Sequence, residues 1–194
     1  PAVVMNNLHR SRLDANREIN EAAFGVPEME DAWNEYMGYL AQAQNSLATR
    51  GLVIDIHGHA HSIQRAELGY LITGARLDND DLDYTLTSIQ RLYTDHQSQL
   101  TFEELVRGEA SFGGLMEAEG LAAIPTPLDP KPNGAPFFSG GYITQQYGSL
   151  YDPETAPTDA IQIESSQEQR ADENRAEYVA GLARAIVDYL DLYY

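Results

Sequence analysis

Three histidines spaced two residues apart, His57, His59 and His61, are the residues in this chain best suited to chemistry. They are three of its five histidines, and they directly follow the apolar run Leu52–Ile56. Imidazole is the commonest metal ligand among protein side chains. The spacing therefore indicates a metal site, with a surface loop that carries scattered histidines as the alternative.

The element that must position these histidines is a strand. Leu52–Ile56 is short, β-branched and nearly continuous, which predicts a strand buried on both faces. Gly58 ends it, and open α/β sheets place their ligands where a strand gives way to a loop. Because side chains alternate along a strand, Asp55, His57 and His59 are expected on one side, where the carboxylate can fix a histidine tautomer.

A second polar segment lies nearer the N-terminus and contains Arg10, Asn16 and Arg17. The planar guanidinium group of arginine binds carboxylates through two hydrogen bonds, and the asparagine adds a neutral donor. Arginines stand out here because the chain has only 12 Lys and Arg residues. The segment is a candidate site for a substrate carboxylate; pairing with the chain's own acidic residues is an equally open alternative.

Composition excludes several classes of function. The net charge of −18 and the pI of about 4.4 argue against nucleic-acid and anionic-membrane partners, which repel acidic proteins. The absence of cysteine excludes disulfides and thiolate zinc sites. The 194 residues fit one domain. The sequence leaves the cellular compartment open.

Apolar periodicity predicts strands that alternate with helices, which indicates a layered α/β domain. The Pro- and Gly-rich stretch 125–141 is expected to be a long ordered loop, and Tyr142 follows it as a candidate hydrogen-bond donor to a substrate. The predicted strands are Ala2–Leu8, Leu52–Ile56, Leu68–Thr73, Leu121–Ile124 and Asp159–Glu164, and the principal helices are Pro27–Arg50, Tyr84–Ser98 and Ala171–Tyr193.

Three of these segments carry complementary chemistry. Glu164 ends a predicted strand and is a candidate general base, His57 is a candidate metal ligand, and the arginine segment is a candidate carboxylate clamp. Together they suit metal-assisted hydrolysis of an acylated amino acid or peptide. A zinc ion would lower the pKa of its bound water to about 7.

The same segments resemble the N-formylglutamate amidohydrolase family, within the zinc carboxypeptidase and aspartoacylase-like group. The matching motifs occur in the family's order between about residues 8 and 165: Arg10-x-x-x-Asp14-x-Asn16-Arg17, Asp55-Ile56-His57, Gly140-Gly141-Tyr142-Ile143-Thr144 with Tyr147-Gly148, and Ile161-Gln162-Ile163-Glu164. The resemblance implies a three-layer α/β/α fold with a mixed central sheet, like that of zinc carboxypeptidases, and one zinc ion.

The resemblance also implies roles for single residues. His57 corresponds to the last zinc ligand and Glu164 to the general acid/base. The motif that contains Arg10, Asn16 and Arg17 corresponds to the family's substrate segment. Tyr142 is added as a substrate-binding candidate because of its position after the Pro- and Gly-rich loop, and a small molecule or peptide is the expected partner. His59 is expected as a second metal ligand beside His57, on the strength of its own position and not of the resemblance.

One departure from the family pattern leaves three explanations open. The family's other two zinc ligands, a His and a Glu, lie upstream of the arginine segment, so this domain is expected to lack the N-terminal strand that carries them. A companion chain from the same precursor can supply them, or His59 or His61 can replace them. Alternatively, the chain is a catalytically inactive relative that serves as an acidic binding or structural protein.

Overall fold

Four strands form one mixed sheet in the computed structural model, which describes residues 1–194. The strands are β1 (Gly51–Gly58), β2 (Ala66–Gly69), β3 (Ala123–Ile124) and β4 (Thr158–Ser165). Their spatial order is β1-β4-β2-β3. β1 is parallel to β4 and β2 is parallel to β3, whereas β2 is antiparallel to β4.

Several helices begin where the sequence supplies a capping group or a favourable first residue. Thr101 and Ser166 each form a capping box, and Pro27 occupies the first turn of the long second helix. The helices are α1 (Ile19–Ala22), α2 (Pro27–Asn45), α3 (Gly74–Asp78), α4 (Gln90–His96), α5 (Phe102–Arg107), α6 (Phe112–Ala118), α7 (Tyr142–Tyr147), α8 (Gln167–Arg170) and α9 (Asp172–Tyr193), with a 3-10 turn at Tyr84–Leu86.

One face of the sheet is apolar and holds the main core. Ile161 and Ile163 of β4 and Leu68 of β2 are completely buried there. They belong to the same core cluster as Leu182 and Tyr189 of α9. Burial of side chains of this size contributes about 1.5–3 kcal/mol each, so this face is the principal source of stability.

Helices also cover the opposite face of the sheet. Gln44 of α2 donates a hydrogen bond to Thr158 of β4 at 2.7 Å, and the Tyr147 hydroxyl of α7 donates to the Met37 carbonyl of α2 at 3.1 Å. With helices on both faces of a mixed sheet, the predicted three-layer α/β/α fold is confirmed. No helix combines the length and the apolar character needed to cross a membrane.

Two strand predictions were wrong in ways that concern the edge of the sheet. Ala2–Leu8 forms no strand, and Val3 and Met5 there are 80% and 73% exposed. β1 is an edge strand and is not buried on both faces: Ile56 is 64% exposed, although its register partner Ile163 is fully buried. An apolar run indicates a strand but does not show how many neighbours the strand has.

The predicted helix Tyr84–Ser98 is interrupted, because tertiary hydrogen bonds compete for its backbone. The Ser88 amide donates to the Tyr70 carbonyl, and the Ser88 carbonyl accepts from the Ala160 amide. These bonds hold residues 87–89 out of the helix. α4 consequently begins only at Gln90.

Candidate functional site

A polar row crosses three strands on the face opposite the main core. Glu164 of β4 is the register partner of both His57 of β1 and Glu67 of β2. Register partners on neighbouring strands project to the same side of a sheet. The row therefore brings one histidine and two carboxylates together on this side, which we term the site face.

His57 is oriented by a neighbouring carboxylate. Its Nε2 lies 2.9 Å from Asp55 Oδ1 and 3.3 Å from Asn16 Nδ2. Burial is the largest influence on the ring and lowers its pKa, but the hydrogen bond to Asp55 and the charges of Asp55 and Glu164 outweigh it, so the pKa of His57 is raised. In the neutral ring, a proton held on Nε2 by the acceptor Asp55 leaves the lone pair on Nδ1.

Glu164 is a buried carboxylate in the middle of the row. It is only 7% exposed, and Gln162 donates a hydrogen bond to its Oε1 at 2.9 Å. Burial raises the pKa of Glu164, with Glu67 adding to the rise and His57 and Gln162 opposing it. A carboxyl group in this environment exchanges a proton closer to neutral pH than an exposed one, which suits acid/base work.

Asn16 ties the arginine segment to the sheet. Its Nδ2 donates to Gln162 Oε1 at 3.1 Å, and its Oδ1 accepts from the Ile143 amide at 2.8 Å. Gly141 permits this contact, because a Cβ atom there would lie 2.4 Å from Asn16 Nδ2. Sequence reasoning expected Asn16 to bind a substrate carboxylate, but these contacts occupy both polar atoms with the protein itself and position the residue.

Arg10 and Arg17 lie at the rim of the site and keep exposed guanidinium groups. Arg10 donates to Asp14 at 2.8 Å and its side chain is 74% exposed, while Arg17 lies 3.7 Å from Asp14 with a side chain 55% exposed. The charge of Arg10 lowers the pKa of His57, against the larger influence of Asp55.

Tyr142 begins α7 beside the same rim. Its ring lies 6.1 Å from the Trp33 ring, and the Trp33 indole donates to the Arg17 carbonyl at 3.0 Å. Trp33 therefore links Tyr142 to the arginine segment, and a role for Tyr142 in substrate binding stays a prediction.

His59, His61 and Glu67 form a group that could hold a metal ion, with ligand atoms within 4.8 Å of one another. His61 Nδ1 lies 2.7 Å from Glu67 Oε1, and His59 Nε2 lies 3.9 Å from the same oxygen. His59 and Glu67 are almost fully buried. The predicted ligand His59 thus belongs to a three-donor group, whereas His57 is not part of it.

Arg170 fixes the loop that carries these histidines. Its Nη2 donates to the His59 carbonyl at 2.9 Å and its Nε donates to the Ser165 carbonyl at 3.1 Å. Gly58 leaves room for the guanidinium group, since a Cβ atom there would lie 2.5 Å from Arg170 Nε. This clamp joins the ends of β1 and β4 and sets the direction of the chain after His57.

Sequence reasoning missed Glu67 and gave Gln162 no role of its own. A signal for Glu67 was present: an acidic residue stands inside the short apolar segment Ala66–Gly69. A charged residue in a buried strand needs a partner or a function.

A depression of about 520 Å³ lies elsewhere on the surface and is lined by none of the site residues. Its charged residues Asp80, Arg107 and Lys131 are already ion-paired with one another.

Comparisons with models of protein families, with curated proteins and with solved structures found no match to this chain. The resemblance to N-formylglutamate amidohydrolases therefore depends on the sequence motifs alone. The fold and the site themselves define a class: an α/β protein with one partly buried histidine and two buried carboxylates on one face of a mixed sheet.

Proposed function

We propose that this chain is a zinc-dependent amidohydrolase domain that acts on a small N-acylated amino acid or peptide, in the manner of N-formylglutamate amidohydrolases. One observation supports this most strongly: the buried Glu164 lies in register between His57 and Glu67, and its pKa is raised. A second observation also supports the proposal: three segments that are distant in sequence meet beside this row, because Asn16 contacts both His57 and the Ile143 amide.

The donor chemistry of the site fits zinc. Two histidines and a glutamate are a known ligand set for catalytic zinc, and His59, His61 and Glu67 supply it. His57 lies outside this group, and its Nε2 lies 2.9 Å from Asp55 Oδ1. When bound, zinc would polarise the acyl carbonyl and lower the pKa of a water molecule to about 7.

Glu164 would act as the general acid/base. Hydrolysis adds the oxygen of water to the acyl carbon and breaks the bond from that carbon to nitrogen. The Glu164 carboxylate would take a proton from the water and deliver it to the departing amine nitrogen. Its raised pKa favours the first of these transfers, because a carboxylate with a higher pKa is a stronger base than an exposed glutamate.

Arg10 and Arg17 would orient an anionic group of the substrate. Both guanidinium groups are exposed at the rim, and the acidic surface of the chain makes local cations unusual. Asn16 would hold the rim against the sheet through Gln162. A substrate with a free carboxylate is therefore favoured over a neutral amide.

The test compares hydrolysis of N-formyl and N-acetyl amino acids by the wild type and Glu164→Gln. Loss of a general acid/base predicts a decrease in turnover of about 10²–10⁴-fold. Glu168→Gln is the matched control, since Glu168 is exposed on α8. Glu164→Gln protein that folds normally and retains wild-type turnover would contradict the proposal.

A second candidate is a binding or structural role without catalysis. It is favoured by one observation. The side-chain amide of Asn16, the expected donor to a substrate carboxylate, already forms hydrogen bonds with Gln162 and the Ile143 backbone. Native mass spectrometry after zinc addition, together with the hydrolysis assay, separates the two. A folded protein that neither retains zinc nor hydrolyses any acylated amino acid supports this second role.

A further inference from the structure

We propose that a divalent transition-metal ion binds among His59, His61 and Glu67, on the loop after β1 and the start of β2, and that His57 is not one of its ligands. This inference deepens the proposed function, on which it rests for its meaning in catalysis. The binding itself can be measured without turnover.

The separation of the donors suits a small ion. Zinc holds nitrogen and oxygen ligands at about 2.0–2.2 Å, so neighbouring donors of a tetrahedral site lie roughly 3.3 Å apart. The observed separations from Glu67 Oε1 are 2.7 Å to His61 Nδ1 and 3.9 Å to His59 Nε2. One separation is shorter and the other longer than the ideal value, each by about 0.6 Å. Small side-chain rotations would bring both pairs of donors to the ideal separation.

Glu67 is held ready for a cation. It is 1% exposed, and its ion-pair partners are His59 and His61 alone. Its second oxygen, Oε2, accepts the Phe138 amide at 2.7 Å. A buried carboxylate without a lysine or arginine partner is costly, and a bound metal ion compensates its charge.

His61 is also held in place. Its ring stacks on Phe138 with a centroid distance of 4.7 Å and an interplanar angle of 15°. The Phe138 backbone and ring thus orient both Glu67 and His61. Outer contacts of this kind direct metal ligands in known sites.

His59 must change its hydrogen bonds when the ion binds. The His61 amide donates to His59 Nδ1 at 3.0 Å, so Nδ1 carries the lone pair and Nε2 carries the hydrogen that is donated to the Arg65 carbonyl at 2.8 Å. Ligation through Nε2 requires the opposite tautomer. Metal binding is therefore coupled to release of the His61 amide within the loop 59–65.

His57 has no comparable set of neighbours. Asp55 and Asn16 occupy the surroundings of its Nε2, and the group of three donors that the structure brings together excludes it. Its register partner Glu164 is the proposed acid/base. The geometry therefore separates metal binding, on the β1–β2 loop, from proton transfer, at the centre of the sheet.

The experiment uses the whole chain, stripped with a chelator and then given zinc or cobalt. Native mass spectrometry and cobalt absorption are recorded for the wild type, His61→Gln, Glu67→Gln and His57→Gln. One ion is expected on the wild type. Loss of a direct ligand should weaken binding by more than the roughly 10–100-fold that loss of an outer partner costs, and His57→Gln should bind like the wild type.

Two outcomes overturn the inference: no ion on the wild-type chain, or loss of the ion in His57→Gln with retention in His61→Gln. If the buried Glu67→Gln variant fails to fold, His61→Gln provides the same comparison, because its side chain is 23% exposed. Hydrogen exchange is a second readout, and the His61 amide should lose protection when metal binds. A bound ion without hydrolysis would leave this metal site standing and refute the amidohydrolase proposal.

Discussion

Glu67 and Glu164 are register partners on antiparallel strands, and both carboxylates are buried on the same face of the sheet. Neither is paired with a lysine or an arginine; Glu67 contacts His61, and Glu164 accepts from Gln162. Two like charges in a buried site disfavour each other. The row is therefore expected to lower the stability of the fold when both carboxylates are charged.

Glu164→Gln is expected to stabilise the fold at neutral pH. Because the pKa of Glu164 is raised in the folded state, its stabilising contribution is complete below the unfolded pKa and is lost as the pH rises through the folded pKa. Glutamine carries no charge and avoids this loss. Urea unfolding in a chelating buffer should show the variant more stable than wild type at pH 8, with the difference vanishing at pH 4.

The same measurement has an internal control. Glu168→Gln removes an exposed carboxylate from α8 and should follow the wild type at both pH values. An equal loss of stability in Glu164→Gln at both pH values would mean that Glu164 has a favourable structural role that outweighs its burial.

The pKa of His57 should respond to its two charged neighbours in opposite directions. Asp55→Asn removes the hydrogen-bonded carboxylate that raises it, so the pKa should fall. Arg10→Ala removes a cation that lowers it, so the pKa should rise. NMR titration of the His57 ring protons measures both, and an unchanged pKa in Asp55→Asn would show that the contact does not persist in solution.

Gly141→Ala should damage the site through Asn16. An added Cβ would lie 2.4 Å from Asn16 Nδ2 and force the amide away from Gln162 and the Ile143 backbone, at a cost of about 1–2 kcal/mol. Gly38→Ala is the contrasting variant: nothing lies within 4 Å of a Cβ there, and its place inside α2 predicts a gain of about 1 kcal/mol. Thermal unfolding of both variants checks the contact. Equal changes in stability in the two variants would contradict the prediction.

Asp159→Asn tests stability away from the site. Asp159 is fully buried on the apolar face and bonds Arg50, Ser149 and Tyr194. Neutralising it leaves the charge of Arg50 poorly compensated, which predicts a loss of about 3–5 kcal/mol.

Asp95→Asn is the matched variant for that prediction. Asp95 also pairs with Arg50, but its side chain is 45% exposed, so a loss below about 1 kcal/mol is expected. Chemical denaturation ranks the two variants. Since Asp159 faces away from the polar row, metal content of the folded Asp159→Asn protein should equal that of the wild type.

Local patterns in the sequence determined much of this protein. The apolar run before the histidines predicted β1, and the strand before Glu164 was predicted within one residue at each end, as β4 (Thr158–Ser165). Thr101 predicted its capping box, because the partners are three residues apart. The same patterns drew attention to His57, His59 and Glu164, since reactive side chains that end apolar strands are visible in a linear sequence.

The tertiary structure alone decided which of these residues meet. The alignment of Glu67 with Glu164 arises from the register between strands about a hundred residues apart, and one step of slippage would turn either side chain to the other face. The edge position of β1 is likewise a non-local property. The two hydrogen bonds that hold His59 depend on the conformation of the loop 59–65. Strand pairing and burial are properties of the assembled chain, and no local pattern encodes them.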